Sequence, residues 1–298
     1  MRATRFICLI YLLSLASCKQ PVDVSAQKDW VQLFNGKDLT GWDIKITGHD
    51  LNENFNNNFS VQDGILKVDY SGFKKFDSAF GHLYYKKPFS YYIVRVEYRF
   101  TGKQIEGGPS YAYLNSGVML HSQSAASVTK NQWFPVSLEM QLLASDDRVK
   151  RHNGNLCTPG TEVNMNGQPV EEHCIDSKSK NSYLNEWVTA EAVVYGDSVI
   201  HHIINGDTVL TYEKTRIGGG FVNTGMTWTT GGFTADSLDW IKKDGTPLAS
   251  GFIALQAESH PVEFRKCELL NLEGCMDPKA INYKSYFIKA DNATCRYK

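Results

Sequence analysis

No window of twelve or more residues in this 298-residue chain carries apolar side chains at helical spacing, and that narrows the folds open to it. What recurs instead is short runs of β-formers, divided by Gly, Asn and Asp turns. Phe59–Gln62 and Ile65–Val68 flank Asp63-Gly64, and Val199–Ile204 and Thr208–Tyr212 flank Asn205-Gly206-Asp207; both read as hairpins. Tyr91–Phe100 alternates, with Ile93, Val96 and Tyr98 or their neighbours inward and Arg95, Glu97 and Arg99 outward. Trp30–Phe34, Asn115–Leu120, Val136–Leu143, Trp187–Val194 and Gly251–Gln256 complete the expected strands. Fifteen Tyr, fifteen Phe and 24 Gly suit pleated strands joined by tight turns.

Strands of this length and spacing predict an all-β, two-sheet sandwich of the jelly-roll kind. Two long insertions interrupt it. Residues 144–180 are polar, and residues 217–250 are rich in Gly, Thr and Trp. Long loops on a rigid sandwich are where binding sites are built.

The N-terminus reads as an export signal. Arg2 and Arg5 precede an apolar run from Phe6 to Leu15, which is too short to span a bilayer, and Leu15-Ala16-Ser17-Cys18 follows. This pattern resembles a bacterial lipobox, so residues 1–17 are expected to be a signal peptide, Cys18 the lipidated residue and 18–28 a polar tether. Localisation would be the cell envelope, with the lipid as the only membrane contact. Removing Arg2 and Arg5 leaves 29 basic against 32 acidic residues, a charge near −3. With no basic cluster to meet phosphate, nucleic acid is excluded as a partner.

Outside the cytoplasm, cysteines default to disulfides. Cys157 with Cys174 and Cys275 with Cys295 are the expected pairs, each worth roughly 3 kcal/mol in the chain-entropy model. Cys267 sits in strand-like sequence and reads as a buried thiol, although the odd count leaves its pairing open.

Several segments together resemble a known family. Leu33-Phe34-Asn35-Gly36-Lys37-Asp38-Leu39-Thr40-Gly41-Trp42, Asn115-Ser116-Gly117-Val118 and Pro135–Leu142 occur in order. Leu156-Cys157-Thr158-Pro159-Gly160, Asn185-Glu186-Trp187, His202–Gly206 and Gly251–Arg265 follow. In this the chain is similar to the 3-keto-disaccharide hydrolase domain family. It departs from the family at Lys266, where members often carry Asn, and at Leu143-Ala144-Ser145. The resemblance implies a concanavalin-like jelly roll, here over 29–272, an exported protein of Bacteroidetes type, and cleavage of 3-keto-glycosides. Residues 273–298 resemble a small disulfide-closed module found at the C-termini of exported Bacteroidetes proteins.

A keto group at the third sugar carbon acidifies the proton on the second. Removing that proton lets the glycosidic oxygen leave the first carbon, and water then adds to the product. Such a site needs a base near neutral pKa, a proton donor and hydrogen bonds to the developing enolate. Glu139 is the first candidate, because period-2 alternation puts it with Gln141 on one face and Leu138, Met140 and Leu142 on the other. His121 and His260 are further catalytic candidates. Asn115, Gln141, Glu258 and Arg265 are expected to bind substrate, with Trp133 and Trp228 stacking on a sugar ring and Trp240, Asn223 and Gly218-Gly219-Gly220 nearby.

No cofactor is expected other than Ca²⁺, the one ion these residues could take. Asp146-Asp147 and Asp236–Asp239 could offer oxygens to Ca²⁺, but no EF-hand loop is present, and adjacent His201 and His202 point to opposite sides of a strand. No zinc-type metal site is expected. A non-catalytic, lectin-like carbohydrate-binding protein of the same fold is the main alternative, and an adhesive envelope protein is a third.

Overall fold

The computed structural model describes residues 29–219, 228 and 236–298. The expectations for residues 1–28, Cys18 among them, and those for Gly220 and Asn223, lie outside the described residues.

Along the chain run β1 (Val31–Gln32), β2 (Trp42–Ile46), β3 (Phe59–Gln62), β4 (Ile65–Val68), β5 (Gly81–Tyr85) and β6 (Tyr91–Phe100). Then come β7 (Asn115–Ser122), β8 (Leu138–Leu143), β9 (Leu156–Cys157), β10 (Thr161–Met165), β11 (Gln168–Pro169) and β12 (Cys174–Ile175). The last are β13 (Val188–Tyr195), β14 (Val199–Ile204), β15 (Asp207–Ile217), β16 (Phe252–Ala257), β17 (Val262–Asn271), β18 (Glu273–Gly274) and β19 (Lys289–Ala290). One short helix, α1 (Ser237–Lys242), lies between β15 and β16 among the described residues.

The strands make two antiparallel sheets, face to face, in a concanavalin-like jelly roll. One has the order β11-β10-β15-β14-β13-β6-β17-β4-β3, with β1 also on β17; the other has β12-β9-β8-β7-β16-β5-β2. Both expected hairpins form with two-residue loops. Asp63-Gly64 and Asn205-Gly206 have φ of 53°, 76°, 49° and 91°, the left-handed pair that matches the twist of flanking strands.

The core lies between the sheets. Leu138, Met140 and Leu142 of β8 meet Val94, Val96 and Tyr98 of β6 and Ala190, Ala192 and Val194 of β13 in one apolar cluster. Each of the Leu, Met and Val side chains among them contributes roughly 1.5–3 kcal/mol by leaving water. Ile93 corrects the expected phase of β6: the inward set is Tyr92, Val94, Val96, Tyr98 and Phe100, and Ile93 is only half-buried. Cys267 is a free thiol within this core, and burial pushes its pKa up.

On its outer face the larger sheet carries a ladder of charges. Arg95 pairs with Glu191 and Glu268 beneath Trp30, Arg99 pairs with Glu263, and Arg265 pairs with Glu97 at 2.6 Å. The guanidinium groups of Arg99 and Arg265 both lie over Trp187.

The insertion after β8 is held by amides. Asn153 is fully buried; its Oδ1 accepts from Leu143 N, and its Nδ2 donates to Tyr98 Oη at 2.6 Å and Ser182 Oγ at 3.1 Å. Asn155 donates to Asp176 and accepts from Ser177 N, tying the two arms of the insertion together. Both expected disulfides are present, Cys157–Cys174 and Cys275–Cys295. The C-terminal tail adds the small parallel pair β18–β19, and its Lys284 meets Asp29 at 2.7 Å.

Candidate functional site

The smaller sheet has one face in the core and one turned outward under loops, and the outward face builds the site. Cross-strand register aligns Cys174, Cys157, Glu139, Met119, Ala254 and Tyr84 in one row across β12, β9, β8, β7, β16 and β5. Gln141 stands opposite Gly117, and Leu143 opposite Asn115. The insertion after β8 arches over this face from one side, and the segment before β8 does so from the other. The result is a cleft of about 680 Å³. It is bordered by Trp133, Phe134 and Pro159 towards the start of β8 and by Tyr111, Arg151 and Glu258 towards its end, with Glu139 and Gln141 on the floor.

Glu139 is buried, and no hydrogen-bond partner reaches its Oε1. Burial pushes its pKa from 4.5 up to about 8, offset in part by the neighbouring Gln256 amide, which stops short of a well-formed hydrogen bond. Glu258 is also buried, with Oε2 unpaired, and its pKa is raised well above the ordinary carboxylate value. Desolvation is the main cause, followed by the charge of Glu139, while Arg151 opposes both. Tyr111 feels the same pair: burial, then Glu258 and Glu139, raise its phenol to about 12. Two carboxyl groups held towards their neutral forms in one cleft is an arrangement typical of acid–base sites.

Gly117 makes room for the first of them. A Cβ at this position would lie 2.7 Å from Glu139 Oε1 and 2.8 Å from Cγ, so the carboxylate lies directly over the glycine.

Arg151 supplies the cation. Its guanidinium donates to the carbonyls of Tyr111, Tyr113, Leu114 and Ala144, which fixes the group, and its buried Nε is left without a partner. Asn115 also lines the cleft; its Nδ2 donates to Tyr111 O at 3.2 Å and its Oδ1 is unpaired.

The structure thus brings Glu139, Gln141, Asn115, Glu258 and Trp133 into one cleft. Four other candidates lie elsewhere. Arg265 belongs to the charge ladder on the opposite sheet, because its place on β17 points it away from the smaller sheet. His121 has left the alternation of β7: its φ is 48°, the pairing with β16 shifts register there, and its Nε2 lies 3.2 Å from Gly196 O at the β13–β14 turn. His260 is buried behind the cleft between Phe100 and Tyr113, with Leu114 N–H directed at its Nδ1. Burial lowers both imidazoles to about 4, so they are neutral across the physiological range. Trp228 packs against Val136, Ile217 and Trp240 in a small separate cluster, stacked on Trp240 with centroids 5.9 Å apart.

Sequence reasoning missed Arg151, Tyr111, Phe134, Asn155, His173 and Asp176, all of which line the cleft. The one available signal was the polar insertion at 144–180. Of the calcium candidates, Asp146 accepts from Tyr113 Oη and Arg148, Asp236 Oδ2 accepts from Trp240 Nε1, and Asp239 pairs with Lys242. Among the described residues no three His, Cys, Asp or Glu side chains group as a metal site.

Fold and site together define a two-sheet jelly roll whose loops enclose a cleft with a buried carboxyl pair. The 3-keto-alpha-glucoside-1,2-lyase-like domain matches residues 29–270, and the chain belongs to that family. Two solved structures of proposed glycosyl hydrolases from Parabacteroides distasonis are similar to it. One is 18% identical over 85% of this chain and 98% of its own, and the other 17% over 82% and 99%, each with a TM-score of 0.48. A carbohydrate-binding module of type CBM66 from Bacillus subtilis is 9% identical over 82% of this chain and 96% of its own, with a TM-score of 0.38. No curated protein matches the chain.

Proposed function

We propose that this protein cleaves 3-keto-glycosides by elimination and hydration, with Glu139 as base and Glu258 as acid. The observation that carries the reading is the pair itself: two buried carboxyl groups in one cleft, each with an unpaired oxygen and each displaced towards neutrality. A base is most useful when its pKa lies near the working pH, and a donor must keep its proton there.

The proton accounting closes over the two steps. The Glu139 carboxylate takes the proton from the second sugar carbon; that electron pair forms the double bond to the first carbon as the glycosidic bond breaks. Glu258 gives its proton to the departing oxygen, and Arg151 Nε offers a donor to the enolate oxygen. Water then adds to the first carbon, losing a proton to Glu258, while Glu139 returns its proton to the second carbon. Both carboxyl groups end as they began. The working place would be the cell envelope, through a lipid on Cys18.

The test is incubation of the purified protein with 3-keto-trehalose, 3-keto-lactose and their unoxidised parents, following free sugar by mass spectrometry. Release from the keto sugars alone is expected. Release from the parents would point to conventional two-carboxylate hydrolysis instead. Trp133 and Tyr111, 38% and 53% exposed at the mouth, favour a carbohydrate-binding role as the second reading. Binding of unoxidised glycan without any release would support it.

Gly117→Ala provides a geometric check. The added methyl must push the Glu139 carboxylate aside, and turnover of 3-keto substrate is expected to fall at least about tenfold, with circular dichroism unchanged. Wild-type turnover in a folded Gly117→Ala protein would show that the position of the carboxylate over this glycine is immaterial.

A further inference from the structure

The Cys157–Cys174 bridge lies in the wall of the cleft itself, beside the candidate base. Cys157 stands directly opposite Glu139 in the β8–β9 register, Cys174 stands directly opposite Cys157, and both line the cleft. The strands it joins are two residues each, and β12 is the edge of the sheet. Pairing that short is marginal without help. The bridge also anchors the arm between the two cysteines, which carries Pro159 and His173 to the cleft.

We infer that the Cys157–Cys174 disulfide is a positioning element for the base: it walls the β9 side of Glu139 with sulfur and holds the edge strand closed against water. Sulfur is bulky and a poor hydrogen-bond partner, so this wall removes solvent from the carboxyl while offering it almost nothing in return. Met119, the opposite neighbour of Glu139 on β7, extends the same soft surface. Other charged or titratable groups reach this space from every side. They are Glu258 after β16, Arg151 and Tyr111 towards the end of β8, and His173 and Asp176 flanking β12. With the bridge intact, burial outweighs the opposing Gln256 amide at Glu139, and its pKa is raised to about 8. With the bridge absent, the edge opens, water reaches the carboxyl, and its midpoint moves back towards the ordinary value.

The role assigned to Glu139 rests on the proposed function, but its protonation can be read without any turnover. The experiment is a side-chain ¹³C NMR titration of Glu139 in the full chain, assigned with Glu139→Gln. Wild type is compared with Cys157→Ala/Cys174→Ala, and Cys275→Ala/Cys295→Ala controls for loss of a disulfide as such. The Glu139 midpoint is expected to fall by at least about one pH unit in the first double variant and to stay in place in the control. If 3-keto-glycosides are substrates, the rising limb of the pH–rate profile moves acidward by the same amount. An unmoved midpoint in the folded Cys157→Ala/Cys174→Ala protein overturns the inference, whatever the activity. Should that variant fail to fold, folded Cys275→Ala/Cys295→Ala protein is reduced with a phosphine and titrated in the same way; an unmoved midpoint there overturns it equally. A shifted midpoint with no keto-glycoside cleavage would uphold the positioning role and reject the proposed reaction.

Discussion

Glu139→Gln is expected to lower turnover of 3-keto-glycosides by about a thousandfold, because the amide cannot accept the proton. The same variant is expected to be more stable than wild type in alkali. In the fold the Glu139 pKa is about 8 against 4.5 for the free group, so the folded state prefers the neutral carboxyl. Stability from this group is therefore full below about 4.5 and is lost as pH rises through about 8. Each pH unit across that window is worth up to roughly 1.4 kcal/mol, a few kcal/mol in all at most. Glutamine keeps the shape and never ionises. Thermal melts at pH 5 and pH 9 should show the two proteins close at the lower value and the variant ahead at the higher. Turnover in wild type runs the other way, rising with pH through the same midpoint. A Glu139→Gln protein with unchanged turnover, or with the same alkaline loss of Tm as wild type, would remove Glu139 from the role assigned to it.

Arg151→Met should produce the other large effect. Loss of one preorganised donor to a developing negative charge costs about a hundredfold or more in kcat. Removing the cation also lifts an opposing influence from Glu258, whose pKa should climb further. The alkaline limb of the rate profile, which needs Glu258 protonated, then extends upward. Lower stability is expected as well, since the guanidinium holds the carbonyls of Tyr111, Tyr113, Leu114 and Ala144 together. Arg151→Lys separates the two roles: it keeps the charge near Glu258 but not the fork that spans those carbonyls. A kcat for Arg151→Met equal to wild type would leave the guanidinium a structural part only.

Local patterns revealed the fold because strand alternation and turn chemistry are local. Asp63-Gly64 and Asn205-Gly206 gave their hairpins directly, and the alternation of β8 placed Glu139 and Gln141 on the outward face. Trp42–Ile46, Gly81–Tyr85 and Thr161–Met165 were not recognised as strands; in the fold, β2 and β5 have many residues buried on both faces, so they lack clean alternation. The site was legible only in its floor. Arg151 meets Leu114 across 37 positions in sequence, and no nearby pattern distinguishes it from Arg148 in the same loop. Arg265 misled for a related reason. Alternation tells which residues share a face, but not which sheet that face belongs to, and β17 lies in the sheet opposite the cleft. His121 escaped its expected side through a register shift that no local pattern announces.

Asn153, the amide that joins the insertion to Tyr98, is followed by Gly154, and that pair has a bearing on how the molecule ages. An asparagine followed by glycine is the dipeptide most open to attack by the next backbone nitrogen on its side-chain amide, a reaction that yields aspartate and isoaspartate. In the folded protein both ends of the amide are engaged and the residue is fully buried, so the geometry for that attack is denied. Each excursion to an unfolded state removes the protection. An aspartate formed there returns with no Nδ2 to give Tyr98, and an isoaspartate returns with one extra backbone atom. Every unfolding event therefore carries a chance of chemical scarring at the seam between loop and sandwich.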